Sequence, residues 1–100
     1  MIRGTTPTHT FTLPFDVSTI KSLVIVYAQN GTEVLKKEMD DCQMNGTDIT
    51  VRLSQEDSLK FNANGSVQIQ IKVLTTAGEA LASYIQTVPV LECLIDEVLK

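Results

Sequence analysis

Chemistry at a protein site needs a nucleophile with a base, a metal held by several ligands, or carboxylates at working distance. This sequence offers few such groups. Its only imidazole is His9 and its only thiols are Cys42 and Cys93. Together they fall one ligand short of a structural zinc site, and their spacing fits no metal motif. His9 is expected as a solvent-exposed residue on the polar phase of the first strand. Asp40, Asp41, Asn45 and Asp48 form an oxygen-rich stretch of the kind that holds Ca²⁺, but the spacing is not that of an EF-hand, and a solvated acidic loop is expected. Asn30-Gly31-Thr32, Asn45-Gly46-Thr47 and Asn64-Gly65-Ser66 match the N-glycosylation pattern. Asn-Gly is also what tight turns demand, and all three triplets sit where a turn is expected. No Gly-x-Gly phosphate cradle occurs. Tyr27 and Tyr84 are the tyrosines a sugar could stack on, and both are expected to pack at a core or rim. No catalytic, cofactor-binding or metal-binding residue is assigned, and a non-enzymatic role is expected.

The chain that must position these residues has 100 amino acids, enough for one domain and one core. Apolar residues make up 43% and charged residues 20%, a globular balance. With no Trp, the core must come from Val, Ile and Leu. The net charge is −4 and the basic residues are scattered, so the cationic stripe that nucleic-acid binding requires is missing. The opening residues lack the apolar core of a signal peptide, and no run approaches the ~18 apolar residues of a membrane span. A soluble protein that begins in a cytoplasm is expected. Two cysteines are too few for a secreted disulfide scaffold, so both are read as free, partly buried thiols.

Period-two patterning dominates the chain. In residues 8–15, Phe11, Leu13 and Phe15 alternate with Thr10 and Thr12, a half-buried strand. Pro14 places it at a sheet edge or ends it. Residues 22–29 are β-branched and apolar on both faces, and Asn30-Gly31 then predicts a type I′ hairpin into residues 32–38. A two-residue loop sets Val26 opposite Leu35 and Tyr27 opposite Val34. Ile49, Val51 and Leu53 alternate inward. Ser54 is placed to cap a short helical turn over residues 55–57, with Leu59 and Phe61 returning to the core. Residues 66–74 form the clearest strand, central in its sheet, with Val67, Ile69, Ile71 and Val73 buried and Gln68 and Gln70 outward. Residues 79–90 return beside it. Residues 1–7 are an arm or an added edge strand. Residues 91–100 fit a helix face, but their approach favours an extended tail. These elements make an all-β, antiparallel two-sheet sandwich of about seven short strands, immunoglobulin-like in architecture, as one domain over residues 1–100.

The apolar strand at residues 23–28 raises a question of cover. Leu23, Ile25 and Tyr27 share one face; Val24, Val26 and Ala28 share the other. A sandwich strand normally turns one face to water, so something must cover the second. Leu91, Leu94, Ile95, Val98 and Leu99 could do so within the chain. Otherwise the strand forms part of an assembly surface, and Leu23, Ile25, Tyr27, Gln68 and Gln70 are the residues assigned to it.

The opening Arg3-Gly4-Thr5-Thr6-Pro7-Thr8-His9-Thr10-Phe11 resembles the start of small proteins encoded in prophages of Gram-positive, gut-type bacteria. The hairpin around Tyr27-Ala28-Gln29-Asn30-Gly31, the stretch from Leu53 to Phe61 and the strand from Val67 to Leu74 extend the resemblance over nearly the whole chain. The opening is its specific part; the remainder is a generic β pattern. The resemblance implies an immunoglobulin-like accessory protein of the phage structural module, associated with tail or baseplate. Implied with it are a protein partner (another copy or other virion proteins) and a place in the virion or the host cytoplasm; the residues themselves lead to the expectation of no cofactor, no nucleic acid and no membrane insertion. Two alternatives are a module binding host-surface glycans and a bacterial adaptor β-domain unrelated to virions.

Overall fold

The period-two segments become strands in the computed structural model of the chain, which describes residues 1–100. They run β1 (Thr8–Thr12), β2 (Ile20–Gln29), β3 (Thr32–Glu38), β4 (Cys42–Asn45), β5 (Asp48–Arg52), the short helix α1 (Gln55–Leu59), β6 (Gly65–Thr75), β7 (Ala80–Ala82) and β8 (Gln86–Val90). A three-stranded sheet has the order β1-β5-β4; a second has the order β3-β2-β6-β7, with β8 also pairing β6. Every strand pairing is antiparallel. Phe11, Ile49 and Val51 from the first sheet meet Ile25, Tyr27, Ile69 and Ile71 from the second in one core, with Leu53 and Phe61 beside them. The chain thus forms the all-β, antiparallel two-sheet sandwich expected of it.

Strand β6 is central, between β2 on one side and β7 with β8 on the other. Val67, Ile69, Ile71 and Val73 are buried, while Gln68, Gln70 and Lys72 are exposed, as the alternation requires. Asn30 and Gly31 both take positive φ, 52° and 77°, the geometry of a type I′ turn. The hairpin register differs from the expected one. A bulge beside Tyr27 and Ala28 leaves Val34 as an extra residue, so Tyr27 lies opposite Leu35 and Val26 opposite Lys36. The bulge turns Leu35 and Lys37 inward together.

The return from β6 is two strands rather than one, and Cys42–Asn45, expected within a solvated acidic loop, pairs with β5 as β4; together they raise the count to eight. At Ser83 the hydroxyl takes the place of a ladder partner: it accepts from the Ile71 N–H at 3.2 Å and donates to the Tyr84 carbonyl at 3.0 Å. The edge is broken there. Before α1, Ser54 forms the expected cap, accepting from the Asp57 N–H at 3.0 Å while the Asp57 carboxylate accepts from the Ser54 N–H at 3.1 Å.

Both termini are tied to the sandwich. Residues 1–3 are not a free arm: the Met1 ammonium donates to the Pro89 carbonyl at 2.9 Å, and Ile2 bridges Leu91 in parallel. Beyond Leu91 the tail is irregular, neither helix nor strand. It is held by the Arg3–Asp96 ion pair at 3.0 Å and by two hydrogen bonds between the Gln55 side chain and the Leu99 backbone, each 2.9 Å.

Candidate functional site

Register decides what the assigned surface residues do. In the β2–β6 pair, Leu23 faces Val73, Ile25 faces Ile71 and Tyr27 faces Ile69. Opposed residues share a face, so Leu23, Ile25 and Tyr27 belong to the core and are buried. They are not an interaction surface. Gln68 and Gln70 do lie outside, opposite Ala28 and Val26, with Val24 opposite Lys72. The outward face of the large sheet therefore carries Val24, Val26 and Ala28 beside exposed glutamines. The C-terminal residues do not cover it. They run beside Arg3 and Gln55 instead, and Leu94 and Leu99 are 96% and 67% exposed.

The break in the edge strand exposes Ile85, which the sequence reading did not single out, and Tyr84, which does not pack at a core or rim as expected. Ser83 donates its N–H to the Ile71 carbonyl at 2.9 Å, and its own carbonyl accepts from the Gln70 side chain at 2.8 Å. With Ser83 pinned, the next two side chains are thrown outward: Tyr84 is 95% and Ile85 58% exposed. Ile85 lies over the outward face, beside Val26, Ala28, Gln68 and Gln70. Tyr84 lies at a groove of about 410 Å³ in the open side of the sandwich, where Leu13, Pro14 and Phe15 after β1 approach Leu81 and Ala82. Leu81 faces inward opposite Val73, yet it is 41% exposed because the smaller sheet does not reach over it. Isolated surface apolar residues need no explanation, but a contiguous set marks a contact surface.

The groups able to do chemistry gather elsewhere, between the sheets. His9 pairs with Val51, which in turn pairs with Cys42, so both point inward toward Tyr27. This corrects the expectation for His9. It shares its parity with Phe11, not with Thr10, and is half-buried. The His9 Nδ1 and the Tyr27 hydroxyl share a hydrogen bond of 2.8 Å. Burial, and secondarily the N-terminal ammonium, lowers the His9 pKa. Burial pushes the Tyr27 hydroxyl up, reinforced by Cys42 and Asp57. Burial also raises the Cys42 thiol; Asp41 reinforces this and Lys37 opposes it. The thiolate is the nucleophilic form of cysteine, and this setting disfavours it. The arrangement ties the two sheets together.

Beside this cluster, Lys37 Nζ lies 2.8 Å from Asp57 Oδ2, with side chains 17% and 14% exposed. Burial works against the Asp57 carboxylate, but the Lys37 ammonium and the Ser54 hydrogen bonds outweigh it and hold the pKa below the usual range. Cys42 and Cys93 are both free thiols. Asp40, Asp41, Asn45 and Asp48 are not drawn into one site: Asp41 accepts from the Glu38 N–H at 2.9 Å, and Asp48 accepts from Thr12 at 2.8 Å. No group of three or more His, Cys, Asp and Glu side chains is arranged to hold a metal ion. No helix is long and apolar enough to cross a membrane.

No protein-family model and no curated protein matches the chain. Among solved structures it is similar to the V domain of amphioxus IgVJ-C2, at 14% identity over 91% of this chain and 95% of that one, with a TM-score of 0.39. So remote a likeness carries no argument here; the sandwich is read from its own sheets.

Proposed function

We propose that this chain is a non-enzymatic protein-interaction module, and more narrowly a component of a phage structural or tail-associated assembly. The observation that carries the first part is the exposed apolar pair Leu81 and Tyr84, continuous along one groove with the half-buried Leu13 and Phe15. Such a surface gains from burial at roughly 25 cal/mol per Å², and an exposed Tyr supplies the anchor that contact centres favour. The non-enzymatic part is supported by the half-buried setting of Cys42, which disfavours the nucleophilic thiolate. The phage part is supported by the resemblance of residues 3–11 to the start of prophage-encoded structural-module proteins.

Mass spectrometry of gradient-purified virions from an induced lysogen carrying this gene tests the narrower reading. The chain is expected at a fixed ratio to other tail proteins; its absence from virions that assemble normally overturns it. A second reading has one observation in its favour. Tyr84 presents its ring to solvent, as aromatics that stack on sugars do. A host-surface glycan array decides that reading: binding lost on Tyr84→Ala supports it, and a blank array removes it.

A further inference from the structure

Three of the sandwich's sheet edges carry devices that discourage pairing with another chain. Strand β3 bears Lys36, Lys37 and Glu38 and a bulge in its pairing with β2. The β7–β8 edge is broken at Ser83 and covered at Pro89–Leu91 by the N-terminus. Strand β4 is four residues long and follows Asp40 and Asp41. Strand β1 has none of these devices. Its sequence Thr8-His9-Thr10-Phe11-Thr12 contains no carboxylate, lysine, arginine or proline, and its pairing with β5 is unbroken over five residues.

Strand β1 is also free on its outer side. It pairs only β5. The Leu13 N–H donates to Thr47 at 2.8 Å, and Pro7 accepts from the Leu53 N–H at 2.9 Å. Odd-numbered residues therefore turn their backbone groups toward β5, and antiparallel alternation turns those of Thr8, Thr10 and Thr12 away from it. No loop hydrogen bond uses them.

We propose that this edge pairs with the same edge of a second copy, antiparallel about a two-fold axis at Thr10, joining the two three-stranded sheets into one. The proposal deepens the interaction-module reading. The partner follows from the strand's own symmetry. Threonines at both ends and at the centre of β1 make it a palindrome in its outward positions, so Thr8 meets Thr12 of the second copy and Thr10 meets Thr10. Threonine pairs of this kind favour cross-strand contact; one already spans β1 and β5, where Thr10 Oγ1 and Thr50 Oγ1 are 3.3 Å apart. On the inner face His9 meets Phe11. Pro7, which has no N–H to donate, meets Leu13 at a position that needs none. Pro14 lacks the N–H the next outward position would require, so the ladder stops there. Charge agrees with the register. Arg52 is opposite Thr8, Thr50 opposite Thr10 and Asp48 opposite Thr12, so each of the two Thr8–Thr12 rows carries Arg52 of one copy and Asp48 of the other, and the central row carries Thr50 from both. No like charges are opposed.

Sedimentation velocity over a wide concentration range, at moderate salt, tests this. The full chain is expected to reach dimer. Thr10→Lys places two ammonium groups opposite each other at the axis and is expected to weaken the dimer about tenfold or more. Thr10→Pro deletes an N–H that the monomer's own ladder does not use and should do the same. Val26→Lys, on the outward face of the other sheet, should leave the dimer intact; circular dichroism checks that each variant is folded. Should Thr10→Pro not fold, Thr10→Lys decides alone. A chain that stays monomeric, or a dimer that survives the Thr10 substitutions, overturns the proposal. A dimer lost only with Val26→Lys moves the contact to the large sheet and overturns it too. A strict monomer still found in virions would defeat self-pairing and leave the module reading standing.

Discussion

Replacing Asp57 with alanine strands an ammonium on the inner side of the sandwich. Lys37 points inward because the β3 bulge turns its face toward the core, and Asp57 is its partner at 2.8 Å. Removing one member of a fully buried pair costs about 3–5 kcal/mol. The Lys37 side chain retains 17% exposure, and its stem can carry the ammonium outward, so about 2 kcal/mol is expected from this source. Asp57→Ala also deletes half of the capping box, worth about 1 kcal/mol. The sum, about 3 kcal/mol, is a large share of the 5–15 kcal/mol typical of a domain. Lys37→Met is the informative contrast. It leaves Asp57 with the Ser54 N–H and with Lys60 at 3.9 Å, and it places an apolar stem on an inner face, so a cost of about 1 kcal/mol or less is expected.

Urea unfolding followed by far-UV circular dichroism reads all four members of the double-mutant cycle. The two changes should be non-additive by about 1–2 kcal/mol. The Asp57 pKa is lowered on folding, so its contribution is present above the unfolded carboxyl value of about 3.9. It is lost as pH falls through the lower folded value. The gap between wild type and Asp57→Ala should therefore narrow in that acid range. An Asp57→Ala protein within 0.5 kcal/mol of wild type at pH 7, or strict additivity, would refute the reasoning.

His9 supplies a second pH dependence. Its folded pKa is lowered, so the unfolded chain takes up a proton first, and stability should begin to fall as pH drops below about 6.5. Thermal melts between pH 8 and 5 check this, and His9→Gln should flatten the slope in that interval. Phe61 is fully buried and stacks at a tilt on Tyr27, with centroids 5.9 Å apart; Phe61→Ala should cost about 3–5 kcal/mol in denaturant unfolding. Thiol titration of freshly purified, unreduced protein should find both cysteines reactive. Cys42 should react more slowly than when unfolded, because burial raises its pKa and its thiol donates to the Glu38 carbonyl at 3.4 Å.

What could be read from the sequence followed local rules. The alternation in Val67–Val73, the Asn30-Gly31 turn and the Ser54 cap each have a short-range physical cause, and each appears as expected. The errors arose where pairing between distant segments decides. Strand β2 is apolar on both faces, so its own pattern does not say which face is buried. The register against β6 does, and it selects the larger set, Leu23, Ile25 and Tyr27, over Val24, Val26 and Ala28. Side-chain size was the available clue. His9 is the exception, since its parity with Phe11 within one strand is enough to turn it inward. The β3 bulge shifts the hairpin register by one residue, and no turn rule announces it.

The surface was harder to read than the core because it is made by an interruption. A continuous partner for β6 would have placed residues 83–85 in a ladder, alternating in and out. Instead the Ser83 hydroxyl accepts the Ile71 N–H, satisfying it with a side chain rather than a strand partner. That substitution removes the penalty for leaving a backbone group unpaired. It also frees the chain to present Tyr84 and Ile85 outward. If presenting them is what the break does, Ser83→Val should let the edge close or leave Ile71 N–H unpaired. Closure changes the exposure of Tyr84 and should weaken retention in the virion more than it weakens the fold, whereas an open edge with Ile71 N–H unpaired should only lower stability. Amide exchange at Ile71, set beside retention of the partner, separates a loop held open for contact from an ordinary irregularity in an edge strand.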